Sequence, residues 1–309
     1  MEKIIILPDV TCDLSAEMRE YFHLTDYIRS WVHINDKAYA TTLDWEQVSH
    51  DDFHKALSDK RATVTSAAAS PESYYETFKR YIQEGYSVLS MSISSKISAT
   101  YNIATTAVER IKEEFPDAKI YSLDTQRMSG SFGLLVSYAC LLRDQGKNFE
   151  ELVAWLEENK SRVHQMGPID DLTFIARRGR ISKGKAFMGN LAGVKPMGDC
   201  NAEGYATVLG KAKGMKKALN ATVEYVKTMA TCLEEQHLLV LHSNRQEYAN
   251  QLKEKLEALG CKKVFVGDVF SACATNVGPG LVSVYFLGDP ISAECEKERQ
   301  ALLDALTKE

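Results

Sequence analysis

Val88-Leu89-Ser90-Met91-Ser92-Ile93-Ser94-Ser95, followed by Lys96-Ile97-Ser98-Ala99 and the amphipathic stretch Thr100 to Phe115, reads as a buried strand, a hydroxyl-rich loop and a helix. Val88 to Ile93 is long enough for a strand and too short for a helix. Working outward, Ile4 to Leu7 and Lys119 to Leu123 read as further strands. Between the strands Pro71 to Gln83 is helical, with Tyr74, Tyr75, Phe78 and Ile82 at helical spacing. This alternation predicts an α/β protein with parallel sheets covered by helices. Each strand ends in polar residues: Asp9-Val10-Thr11, Ser94-Ser95 and Asp124-Thr125. In open α/β sheets the carboxyl ends of strands border the ligand crevice, so these residues are expected to line one.

At 309 residues and 34.6 kDa the chain exceeds the usual size of one core, and two domains are expected. Two successive helices, Phe132 to Gln145 and Phe149 to Val163, close an N-terminal α/β domain at residues 1–163. Residues 164–309 form the second, where Val194 to Met197 and Tyr205 to Leu209 read as a hairpin. Met215 to Leu233, Leu238 to Leu241, Gln246 to Leu259 and Val264 to Val269 then read as helix, strand, helix and strand, followed by a last strand from Leu281 to Leu287 and a terminal helix from Ile291 to Leu306.

 The second half therefore repeats the alternation of the first, with the hairpin as its antiparallel addition.

Composition narrows the function. The 37 basic and 42 acidic residues give a net charge of -5, which does not predict nucleic-acid binding by the whole molecule. The seven cysteines form no CxxC pattern, so they read as reduced thiols and not as a zinc site or disulfide framework. The apolar run at Ile4 to Leu7 is far shorter than a signal or membrane segment, and a cytoplasmic location is the expectation.

Several motifs have a plain structural reading. Gly179 to Ala186 approaches a phosphate-binding loop but carries Ala186 where a magnesium-binding hydroxyl belongs. Ser129-Gly130-Ser131-Phe132-Gly133 is similar to a nucleophile elbow, with Ser129 in place of its first glycine, and reads as a helix start. His50 and His54 stand one helical turn apart, yet Ser49, Asp51 and Asp52 account for the segment as a capped helix start. No metal is expected. From Arg177 to Lys217 ten basic residues face two acidic ones, a solvated face or a surface for an acidic partner.

Three segments remain: Thr65-Ser66, Ser94 to Tyr101, and Thr275-Asn276-Val277-Gly278-Pro279-Gly280. Hydroxyls, amides and a Gly-Pro-Gly backbone can hydrogen-bond a carboxylate without supplying a charge. Together they predict a neutral carboxylate site. Singly, each is explained by capping or turning the chain.

These residues resemble the DegV family of bacterial fatty-acid-binding proteins, which includes the fatty-acid-binding subunit of fatty acid kinase. Pro8-Asp9-Val10-Thr11-Cys12-Asp13-Leu14 is similar to the family's SDST-x-D-L opening, and Thr65-Ser66 with Ser70-Pro71 to its TSxPSP. Ile93 to Tyr101 resembles ISSxLSGTY with Ala99 for glycine. Arg178-Gly179-Arg180-Ile181-Ser182 resembles GGRIS, Val194-Lys195-Pro196 resembles IKP, and Thr275 to Gly280 resembles THxGPG with Asn276 for histidine.

The resemblance implies two α/β domains with a long-chain fatty acid in a tunnel between them, and no other cofactor. Thr65 and Ser95 are the first expected contacts of the carboxylate. Ser66, Ser94, Ser98, Asn276 and Gly278 complete the expected site. A separate fatty acid kinase would phosphorylate the presented carboxylate to an acyl phosphate for phospholipid synthesis, docking on Arg178, Arg180, Lys183 and Lys185. The chain would then bind and present, with no catalytic residue of its own. Asn276 keeps the hydrogen bonding of a histidine and removes its charge, so ligand binding is expected to survive while its pH dependence and its coupling to a kinase differ from the family pattern. Burying about fifteen methylenes at about 0.8 kcal/mol each gives on the order of 12 kcal/mol gross, so the head group need add little. Two rival functions are an enzyme acting on a small carboxylate or phosphorylated metabolite, with Ser95 as nucleophile, and a lipid sensor without a kinase.

Overall fold

The computed structural model describes residues 2–181 and 193–308. The first part of the chain holds β1 (Ile4–Pro8), α1 (Ala16–Tyr21), β2 (Trp31–Ile34), β3 (Lys37–Ala40), α2 (His50–Ser58) and β4 (Val64–Ala67). Then come α3 (Pro71–Gln83), β5 (Ser87–Ser92), α4 (Thr100–Glu114), β6 (Ile120–Asp124), α5 (Ser129–Asp144) and α6 (Phe149–Asn159). The remainder holds β7 (Val163–Met166), α7 (Thr173–Arg177), β8 (Val194–Cys200), β9 (Ala206–Lys213), α8 (Met215–Met229) and β10 (His237–His242). It ends with α9 (Gln246–Glu257), β11 (Lys263–Asp268), α10 (Ser271–Val277), β12 (Val282–Leu287) and α11 (Glu296–Thr307).

The fold is α/β. The first sheet is parallel in the order β1-β5-β6, with Ile6 opposite Leu89 and Leu89 opposite Tyr121. Every residue of β1 and β5 is buried, as strands covered on both faces require. The second sheet runs β11-β10-β12-β7. There β10 and β11 are parallel, whereas β12 is antiparallel to both of its neighbours. The expectation of parallel sheets thus holds for the first sheet and, in the second, for the β10-β11 pair but not for the other two pairings. The expected hairpin is the antiparallel pair β8-β9, bulged between Met197 and Gly198.

Helix α5 joins the two sheets. It packs on β1 on one side and on β7, β10 and β12 on the other. Its N-terminal half, from Ser129 to Ser137, is buried without a break, the pattern of a helix enclosed on all sides. Two glycines permit the close fit: a Cβ on Gly133 would lie 2.3 Å from the Cys12 carbonyl oxygen, and one on Gly130 would enter the Tyr285 ring. One apolar core therefore spans both sheets, uniting Ile6, Leu89, Phe132, Leu239 and Phe265. A second core lies where α8 and α9 cover the far face of the four-stranded sheet and α11 packs on α8 and β9.

Three local differences matter for the site. Helix α6 stops at Asn159, and Val163 begins a strand because it pairs with Leu287 on β12. A small antiparallel sheet, β3-β2-β4, is present that the sequence reading left as connection. Asn276 lies on the last turn of α10, where a loop was expected. No helix among the described residues is long and apolar enough to cross a membrane.

Candidate functional site

The ends of β1 and β5, the edge strand β4, and helix α10 surround a chamber of about 280 Å³. Asp9 and Thr11 enter its wall from the end of β1, and Ile93, Ile97, Ser98 and Thr100 from the loop after β5. Strand β4 and the turn after it give Ser66 and Ala67 to Ala69. From the second half of the chain come Arg180 and, on α10, Asn276 and Val277. The Asn276 side-chain amide donates to Ser66 Oγ at 3.0 Å, which closes α10 onto β4.

A second void of about 90 Å³ adjoins the chamber, with Met128, Ser129, Ile175, Ala206 and Val277 in both walls. It runs inside a small apolar cluster of Ile169, Leu172 and Val208, against which Ile175, Ile181, Val277 and Leu281 pack. We call this void the annex. Apolar side chains make up most of both walls; Ser66, Ser98, Asn276 and Arg180 add polar groups to the chamber, and Gln165, Asp199, Thr207 and Ser283 add them to the annex.

Of the residues expected at the site, Ser66, Ser98, Asn276 and Arg180 meet in the chamber wall. Thr65 and Ser95, the first expected contacts, lie outside it. Thr65 pairs with His33 inside β4, one residue out of phase with Ser66, so strand alternation turns its side chain to the other face. The Ser95 amide donates to Asp124 Oδ1 at 3.1 Å, and this anchors the loop on β6. Ser94 is fully buried. Its hydroxyl accepts from the Lys96 amide, and it sits against Gly204, where a Cβ would approach its Oγ to 2.2 Å.

Gly278 is also outside the wall. It ends α10 at a φ of 76°, and the Phe174 ring occupies the space its Cβ would need. Gly280 likewise makes room for Asp170. The Gly-Pro-Gly segment therefore admits the protein's own side chains at close range, where the sequence reading had it admit a ligand. Arg178 reaches back to the Val64 carbonyl at 2.6 Å, and Arg180 to the Ile97 carbonyl at 3.1 Å. Lys183 and Lys185 lie outside the described residues, as does most of the phosphate-loop-like segment.

The chamber is not the neutral site that the hydroxyl segments predicted. Arg180 brings a cation to its wall and Asp9 a carboxyl. Asp9 is held by the Thr11 amide at 2.8 Å, the Thr11 hydroxyl and the Ile93 amide at 2.8 Å, while burial pushes its carboxyl above the ordinary range. Behind the wall, Asp13 accepts from Ser129 Oγ at 2.6 Å and from the Phe270 amide at 3.0 Å. Burial pushes the Asp13 carboxyl up to about 7. Asp9 carried a sequence signal, being a polar residue at the end of a buried strand. Ser129 did not, because a hydroxyl at a helix start is ordinarily a cap.

The elbow-like segment begins α5, and Ser131 Oγ donates to the Met128 carbonyl at 2.7 Å, a local tie within the turn. His54 is buried on α2 beside His50. Among the described residues no group of three or more His, Cys, Asp or Glu side chains is placed to hold a metal ion.

An α/β scaffold whose two sheets share one core thus encloses a chamber joined to a smaller void, the kind of concave site in which small molecules bind. The chain belongs to the DegV family: the family model described as "Uncharacterised protein, DegV family" matches residues 3–289. It is 31% identical to a DegV domain-containing protein of Clostridium perfringens over 290 residues, covering 94% of this chain and 99% of that one. Among solved structures it is similar to a fatty-acid-binding DegV family protein from Thermus thermophilus, with a TM-score of 0.82 and 26% identity over 93% of this chain and 99% of that one. The fold is also that of the fatty acid kinase B3 protein of Streptococcus pneumoniae, solved with linoleic acid, at a TM-score of 0.79 and 20% identity over 93% of this chain and all of that one (100%).

Proposed function

We propose that this chain binds a long-chain fatty acid, with its carboxylate in the chamber and its tail directed into the annex, and presents the acid to a separate kinase that forms an acyl phosphate. The observation that carries the binding is the join of two mostly apolar voids, with Ser66, Ser98, Asn276 and Arg180 gathered in the wall of the larger one. Fatty-acid binding by the Thermus relative supports the ligand class. The carboxylate meets Ser66, Ser98, Asn276 and Arg180. Asn276 already donates both amide protons, to Ser66 Oγ and the Ala272 carbonyl, so it gives one up to the ligand in this reading, and the Ser66 hydroxyl is released with it.

The kinase step rests on the likeness to the fatty acid kinase B3 protein. Arg178, Arg180, Lys183 and Lys185 are the docking residues in this reading, and Arg180 also serves the head group. An enzyme using Ser95 as nucleophile is the weaker reading, because Ser95 is not in the chamber wall. We read the chain as a carrier without catalysis of its own.

Native mass spectrometry of the purified protein tests the ligand: a mass excess that is released as a long-chain fatty acid is expected, and a protein that neither retains nor takes up such an acid refutes the proposal. Replacing Arg178 and Lys183 by Glu tests the docking. Fatty-acid retention should persist while phosphate transfer from ATP by the kinase falls, and undiminished transfer would remove these two residues from the docking surface.

A further inference from the structure

We infer that the ring of residues shared by the chamber and the annex gauges the length of the bound chain, with Ala206 setting the width of the passage and Val208 the depth beyond it. The inference rests on the fatty-acid reading and goes beyond it to the ligand's selection.

The two voids meet where Met128, Ser129, Ile175, Ala206 and Val277 line both. Ala206 has the smallest side chain of the five. It stands at the start of β9 opposite Cys200, and its amide donates to the Arg180 carbonyl at 3.3 Å, so its backbone is fixed from two sides. A larger side chain there has little freedom to swing aside and would narrow the passage. Met128, by contrast, is long and flexible and can yield to a passing chain.

Past the ring, the annex is bounded by Ile169, Leu172 and Val208. Its glycines cannot serve as a gauge, since a Cβ on Gly167 or Gly198 would collide with the Val282 or Thr207 carbonyl oxygen at 2.0 or 2.1 Å. Val208 is the natural stop. Of the polar groups at this end, Asp199 is already engaged by the Gln165 and Cys200 amides and by His164, and the Gln165 side chain faces Ser131 Oγ at 3.3 Å.

A chain that ends short of the shared ring does not meet Ala206; a longer one must pass it. Each methylene newly buried should tighten binding roughly fourfold, and each one denied burial should forgo that factor. The gauge therefore appears as a break in the series of affinities against chain length.

The test is a titration of straight-chain saturated acids from octanoate to stearate against the delipidated protein and two variants, with circular dichroism and thermal melting to confirm the fold. Ala206→Leu should leave the shortest acids that bind within about threefold of wild type and weaken the longest by at least tenfold, which moves the break to shorter chains. Val208→Ala should move the break to longer chains. An unchanged break in the folded variants overturns the gauge while leaving fatty-acid binding intact. Failure of the wild type to bind any acid of the series overturns both the gauge and the fatty-acid reading.

Discussion

Asp199 in the wall of the annex and Asp13 behind the chamber are both fully enclosed carboxylates, yet they are held in opposite ways. Asp199 receives the Gln165 amide at 2.9 Å, the Cys200 amide at 2.6 Å and the His164 ring at 2.9 Å, with the Tyr225 hydroxyl at 3.3 Å. His164 also faces the Asp289 carbonyl, so both its ring nitrogens meet acceptors and both must carry protons. Burial opposes that charge, but the Asp199 carboxylate prevails and raises the His164 imidazole above its ordinary range. Asp13 has a hydroxyl, a thiol and one amide, all neutral donors. The annex end is thus fixed by a completed ion pair, whereas the chamber end holds buried carboxyls whose charge is poorly compensated. Polar groups that lower stability are tolerated most readily where function needs them.

The largest expected effect comes from breaking the completed pair. Asp199→Ala would leave the His164 imidazolium, two amides and the Tyr225 hydroxyl without their acceptor, at a cost of about 3–5 kcal/mol in unfolding free energy. Equilibrium urea denaturation measures it, and a loss below about 1 kcal/mol would mean that Asp199 is no staple. Asp13→Asn retains an acceptor for the Phe270 amide and removes the uncompensated charge, so it should cost far less at neutral pH, or stabilise.

The same comparison has a pH signature. In the unfolded chain Asp13 ionises near 3.8, and in the folded protein near 7. Between these values the folded state holds the extra proton, so the Asp13 contribution is fully present below about pH 4 and is lost as pH rises toward 7. His164 shifts upward too, from 6.5, and its contribution is lost only above that value. Asp9, raised by burial, and His54, His237 and His242, lowered by burial, also change across the window from pH 4.5 to 6.5, so the Asp13 contribution is read as the difference between wild type and Asp13→Asn. Across that window, wild type should lose roughly 2 kcal/mol relative to Asp13→Asn. Parallel pH profiles of the two proteins would show that Asp13 titrates in the ordinary carboxylate range.

The legibility of these features in the sequence follows from their range. Buried strands such as Ile4 to Leu7 and Val88 to Ile93, and helices with apolar faces such as Pro71 to Gln83, declare themselves because local periodicity reports burial. Helix α10 does not, since Ser271 to Val277 is short, carries no capping side chain and is buried along most of its length. Arg180 was legible as part of a basic segment, but its position in the chamber wall depends on the chain folding back to the Ile97 carbonyl, a long-range contact. The pairing of Asp199 with His164 likewise joins residues from two strands, and no spacing rule connects them.

The finest contrast lies between two adjacent residues of β4. Thr65-Ser66 was one motif in sequence, but a strand turns successive side chains to opposite faces, and the chamber takes Ser66 and not Thr65. Ser66→Ala removes a hydroxyl that meets both Asn276 and the chamber, so fatty-acid affinity should fall by about three- to tenfold, the scale of about 1 kcal/mol for one hydrogen bond. Thr65→Ala should leave affinity unchanged within about twofold, on the scale of the ±0.5 kcal/mol expected away from such features. Calorimetric titration of both variants with one saturated acid decides the matter. A loss confined to Thr65→Ala would mean that β4 presents its other face when the ligand is bound, and that the carboxylate is held by the hydroxyl the motif first indicated.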